Sequence, residues 1–225
     1  ILVVAGHVTV EQVKRLSEKW FGDIPMGDPY VRNLPKEPPQ TEKRVKEVHA
    51  AVPLDALIKT WHMDARLDKG YYVADMITEI LGGGGSSRLY QKLVKEKQYF
   101  SNLDCYHFGS VDSGLLTVEG KLVKGVKMED AVAAIDEEIQ QLTTSLIEEP
   151  ELQKIKNKTE SVIAFEDMSI MSRANSLAMY ELLGDASMMN TELQKYQDIT
   201  VEDIQQYSQQ IFQPHNSNTL LYFAN

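Results

Sequence analysis

Residues 68–122 read DKGYYVADMITEILGGGGSSRLYQKLVKEKQYFSNLDCYHFGSVDSGLLTVEGKL. They spell a helix, a glycine run, a second helix and two strands. Asp68 is a capping residue type, and the apolar spacing after it carries a helix to about Leu81. GGGGSS then turns the chain, with Ser86 as the expected N-cap of a second helix that places Leu89 and Leu93 on one face. FSNLDCYHFG and GLLTVEGKL read as strands linked through Ser110–Ser113.

Upstream, RVKEVHAAV and ALIKTWHMDA read as two more strands, joined by a turn at Pro53–Asp55. Before them lies GDIPMGDPYVRNLPKEPPQTEK, whose prolines remove amide donors and restrict their neighbours, as in an extended linker. The chain opens on ILVVAGHV, an apolar run that reads as a buried strand, followed by TVEQVKRLSEKWF. Thr9 and Gln12 there stand at capping-box spacing, and Val13, Leu16 and Trp20 share one helical face. A chain that opens inside a strand is expected to be a processed or cloned fragment.

Downstream, Met128, Val132, Ile135, Ile139, Leu142 and Leu146 form a helical stripe, and Pro150 opens another helix at a tolerated position. Two further helices are expected through SRANSLAMYELLG and TVEDIQQYSQQIF, and a final strand in NTLLYFAN. The two TVE helices echo each other, and ILVVAG at the start resembles LLYFAN at the end.

The chain has 225 residues, 43% of them hydrophobic, and a net charge of −10. That size suits one large domain with a buried core. An acidic chain is a poor partner for nucleic acid. No apolar run approaches the ~20 residues that span a bilayer. Residues 1–124 carry +1 and residues 125–225 carry −11, which sum to the −10 of the whole. Solvated outer helix faces account for this asymmetry, with a surface for basic peptides as the alternative.

The chemistry-bearing residues are sparse. Neither H-E-x-x-H nor H-x-x-E-H occurs among the five histidines. His49, His62 and His107 fall on expected strands, where a shared metal site is the sharper reading and ordinary strand residues the plainer one. Cys105 and His107 are two apart on one strand, which puts a thiol and an imidazole on one face. A small-molecule enzyme built on that pair is one open reading. The glycine run lacks the P-loop lysine and follows a helix rather than a strand. It is either a plain turn or a loop that faces a peptide or partner.

ILGGGGSSRLYQKLVKEKQ, the preceding DKGYYVADMITEIL, the opening LVVAGHVTVEQVKRLSEKWFGDIP and the helical ELQKIKNKTESVIAFE together resemble the second half of pitrilysin/insulinase-type zinc peptidase subunits. The resemblance implies an α/β fold with a mixed, mainly antiparallel sheet backed by helices. It implies three parts: residues 1–27 as the strand–helix that ends a preceding zinc-bearing half, 28–43 as a linker, and 44–225 as the C-terminal domain. Family subunits hold zinc in the first half, so no catalytic residue, metal ligand or cofactor is expected in this chain, with zinc in the parent. Some second halves carry an arginine and, seven positions on, a tyrosine that assist substrate binding; here those places hold Val94 and Ser101.

The function implied is the non-catalytic half of a zinc endopeptidase, helping to form a chamber for unfolded peptides. The alternative is a structural subunit of the same fold that has lost peptidase activity. The expected partners are a peptide or unfolded protein, the missing N-terminal half and a second homologous subunit, with no nucleic acid and no membrane span. The expected location is soluble, cytoplasmic or periplasmic. The site expected to face the substrate or partner is the loop of Gly82, Gly83, Gly84, Gly85, Ser86, Ser87 and Arg88.

Overall fold

The computed structural model describes residues 1–28, 33–35 and 37–225. Part of the expected linker, residues 29–32 and 36, lies outside the described residues. Two compact units emerge. One joins 1–38 with 161–192, and the other joins 39–160 with 193–225.

The larger unit is built on five strands, β1 (Arg44–Ala50), β2 (Ala56–Met63), β3 (Phe100–Phe108), β4 (Gly114–Leu122) and β5 (Ser217–Ala224). Their order is β1-β5-β2-β4-β3. β5 runs parallel to β1 and antiparallel to β2, and the remaining neighbours are antiparallel. The strands expected after residue 43 therefore form, but β1 and β2 are not neighbours. The C-terminal strand inserts between them, with Lys46 opposite Leu220 and Ile58 opposite the same residue.

Alternation along β2 buries Leu57, Lys59, Trp61 and Met63 and leaves the residues between them half-exposed. That is the pattern of a sheet with helices on one face. α2 (Lys69–Gly82) packs on β3, and α7 (Val201–Ile211) packs against α2, β2 and α3 (Met128–Thr144). α2 is buried along most of its length, through Tyr72, Val73, Met76, Ile77, Ile80 and Leu81 among others. α3 buries the expected stripe through Met128, Ile135, Ile139 and Leu142, whereas Leu146 lies past its end and is exposed. Lys59, a buried cation on β2, pairs with Asp136 of α3, and burial lowers its pKa. α4 (Glu149–Glu166) begins at the expected proline, and α6 (Glu192–Gln197) is a short helix that the apolar spacing does not reveal.

The smaller unit is different in kind. Ile1–Ala5 form no strand. Ile1, Leu2 and Val4 are exposed, because an extended segment needs a ladder partner and none pairs with it among the described residues. α1 (Val10–Phe21) closes the expected capping box between Thr9 and Gln12, yet none of its residues is buried. α5 (Ile170–Leu182) buries only Tyr180. The sequence reading groups 161–192 with the C-terminal domain. By contacts, residues 161–192 group with 1–38, and their apolar side chains Phe165, Met168, Met171 and Leu182 are exposed. No helix among the described residues is long and apolar enough to cross a membrane.

Candidate functional site

The glycine loop leaves the C-terminus of α2 and enters a helix that starts at Arg88 and is wound as a π-helix over Tyr90–Glu96. Leu89 and Leu93 are fully buried, as their spacing predicts. Cap duty falls on Ser87 rather than Ser86. The Ser87 carbonyl accepts the first helical amide, Gln91 N, at 3.0 Å. Its hydroxyl donates to Gly84 O at 2.7 Å, while Ser86 is exposed. The π-turn is closed by Lys97 N donating to Lys92 O at 2.9 Å, and Gln98 leaves it with φ +54°. π-turns are uncommon and occur often at functional sites.

Three of the four glycines have a reason in the backbone or in packing. A Cβ on Gly82 would stand 2.3 Å from Cys105 N, so the bare backbone is what lets α2 meet β3. A Cβ on Gly83 would stand 2.7 Å from Glu79 O, and Gly84 has φ +103°. Gly85 has neither a clash nor an unusual φ, only Tyr90 at 3.9 Å.

α4 lies alongside this loop. Arg88 pairs in a two-pronged contact with Glu151, Nε at 3.0 Å and Nη2 at 2.6 Å. Hydrogen bonding to Glu151 raises the arginine pKa further, against the opposing pull of burial. Lys154 Nζ donates to Ser86 Oγ at 3.1 Å. Lys158 Nζ donates to Gly83 O at 3.1 Å and pairs with Glu79. Every glycine carbonyl in the loop has a donor: Gly84 N on Gly82, Lys158 on Gly83, Ser87 on Gly84 and Gln91 on Gly85. The amides of Gly85 and Ser86, both exposed residues, have no acceptor among the described residues.

The histidines do not converge. His49 is on β1 and His107 on β3, which are the two opposite edges of the sheet. Among the described residues no group of three His, Cys, Asp or Glu side chains is placed to hold a metal ion. The donor set of the described residues does not fit zinc. His49 instead stacks on Phe223, with ring centroids 5.0 Å apart. Cys105 is buried, and burial pushes its thiol well above the usual range, which removes the nucleophilic form.

His107 has another partner. Its Nε2 lies 3.0 Å from Asp75 Oδ1, and the Tyr196 hydroxyl donates to Asp75 Oδ2 at 2.7 Å. Burial acts to raise the Asp75 pKa, but hydrogen bonds from His107 and Tyr196 outweigh it and hold the carboxyl below its usual value. Arg66 and Lys195 both lie over the Tyr72 ring of the same cluster, at 5.1 and 4.9 Å. Nearby, Asp64, Asp68, Lys69, Asp203 and Tyr207 border a polar cavity of about 500 Å³, bridged by a 2.6 Å Lys69–Asp203 pair. Neither constellation is visible as a sequence motif. The α4 stripe is, since Glu151, Lys154 and Lys158 follow helical spacing.

The mixed, mostly antiparallel sheet with its helices matches the fold of known proteins. The profile of the peptidase M16 inactive domain covers residues 1–159. The chain belongs to this family. The resemblance to pitrilysin/insulinase-type zinc peptidases, and the α/β fold it implies, are thereby shown. The M16 chain is 23% identical over 218 residues to a Bacillus subtilis protein called uncharacterized zinc protease YmxG, covering 94% of this chain and 51% of that protein. It superposes on a protease from Helicobacter pylori with a TM-score of 0.89 at 24% identity, covering 97% of this chain and 54% of that one. A peptidase M16 inactive domain from Pseudomonas fluorescens aligns with a TM-score of 0.81 at 15% identity, over 98% of this chain and 52% of that one. The M16 chain thus spans about half the length of these relatives.

Proposed function

We propose that this M16 domain is the non-catalytic half of a zinc-dependent endopeptidase. Its parent holds the metal in another half, and the loop from Gly82 to Arg88 faces the space in which unfolded peptide is held. The observation that carries this reading is the contrast between the two units. The sheet unit has a complete core, whereas residues 1–38 with 161–192 leave Leu16, Trp20, Phe165 and Met171 exposed. Ile1, Asn175, Ala178, Met179 and Leu182 also line a mostly apolar cavity of about 550 Å³ within that unit. Apolar surface of this extent is a docking surface, and the relatives are about twice as long. A second half covering it accounts for both facts. A homologous second subunit would complete the peptide chamber.

The test is hydrolysis of an unfolded, internally quenched peptide by the parent polypeptide and by residues 1–225 alone, each with and without a zinc chelator. The parent is expected to be active and chelator-sensitive, and the isolated chain inactive. A parent that binds no zinc and cleaves nothing would point instead to a structural subunit that has lost peptidase activity.

A further inference from the structure

We propose that α4 is the positioning element of the glycine loop, acting through Glu151, Lys154 and Lys158, and that it fixes the loop so that the Gly85 and Ser86 amides remain as donors for the main chain of a bound peptide. The proposal rests on the reading that this loop faces peptide.

Spacings of three and four residues place the three side chains on one helical face. Each reaches a different level of the loop: Glu151 holds Arg88 at its exit, Lys154 holds Ser86, and Lys158 holds Gly83 and Glu79 at its entrance. A turn that only reverses the chain closes on local bonds. These contacts come from 63, 68 and 75 residues away. One of them, from Lys158, satisfies the Gly83 carbonyl, while local donors satisfy those of Gly84 and Gly85. With these donors in place, the glycine carbonyls of the loop are occupied. The exposed Gly85 and Ser86 amides carry no acceptor among the described residues, and two neighbouring donors suit the carbonyl oxygens of an extended peptide.

Magnitude separates this role from a structural one. The pairs are partly or largely exposed, with Lys158 at 49% and Glu79 at 31%. Such pairs contribute little to global stability. A loop of four glycines has much backbone freedom to lose, so a small bias decides which conformation it populates.

The experiment compares Lys158→Met, Glu151→Gln and the conservative Lys158→Arg, in this chain and in the parent. Hydrogen exchange is read at the Gly84 and Ser87 amides, together with global melting and the affinity of the parent for a fluorescent unfolded peptide. The first two variants should speed exchange at both amides about 5–10-fold with melting nearly unchanged. Lys158→Arg should restore the slow rate, and peptide Kd should rise about 3–10-fold in step with exchange. Unchanged exchange in both variants overturns the proposal. Faster exchange with unchanged peptide Kd keeps α4 as the clamp and removes the peptide-facing reading beneath it.

Discussion

At the scale of single residues, Asp75 shows what a linear reading misses. His107 stands two residues from Cys105 in sequence, and strand periodicity pairs them on paper. In the fold the thiol is buried without activation, and the imidazole turns to a carboxylate 32 residues away. Tyr196 comes from 121 residues away. The packing of α2 on β3, with Tyr196 of α6 reaching α2, brings these groups together, so no spacing rule could have found them. The pairing carries a pH signature. A carboxyl whose folded pKa is depressed contributes stability above its unfolded value of ~3.9 and loses it as pH falls through the folded value. Asp75→Asn should therefore cost about 1 kcal/mol at pH 7, and the gap from wild type should close as pH falls from about 5 toward 3. Urea unfolding of both proteins across that range is the measurement. A gap that stays constant with pH would mean that the carboxylate charge plays no part.

At the scale of elements, most helices and all five strands were legible, because apolar period and capping chemistry act locally. Thr9 with Gln12 and Thr200 with Asp203 both form the boxes their spacing announces. Strand order was not legible. β5 enters between β1 and β2 from the far end of the chain, and nothing in the Pro53–Asp55 turn encodes that. The glycine run was legible as a turn, but its residues are not equivalent. Alanine at Gly83 or Gly84 would meet the Glu79 backbone or a left-handed φ, so a loss of function there would mix strain with binding. Gly82 and Gly85 make the cleaner pair. Gly82→Ala drives a methyl into the Cys105 backbone and should destabilise by about 1–3 kcal/mol. Gly85→Ala meets no obstacle and should leave stability within about 0.5 kcal/mol. Thermal melting of the two variants checks this. Equal losses would mean that α2 does not approach β3 as closely as described.

At the scale of the molecule, two amphipathic helices of the same design meet different fates. α7 buries Ile204, Tyr207, Ser208 and Ile211 in the sheet unit. The same spacing in α1 gives Val13, Leu16, Ser17 and Trp20, none of them buried, with Leu16 47% and Trp20 66% exposed. An isolated helix of this length is marginal in water, and a capping box does not replace a packed face. The sequence did not show which of the two helices would be covered, since the same spacing leaves every residue of α1 unburied. This predicts opposite responses to one substitution in two contexts. Leu16→Gln with Trp20→Gln should change the stability of the isolated chain by no more than about 0.5 kcal/mol, since it removes side chains already in water. The same change should reduce binding of an apolar dye. In the parent, where the proposed second half covers the face, it should cost about 2–5 kcal/mol, the range for emptying a packed apolar site. Denaturant unfolding of the four proteins decides the matter. An equally small effect in the parent would show that α1 remains exposed there, and the proposed second half would then have to dock through α5 or not at all.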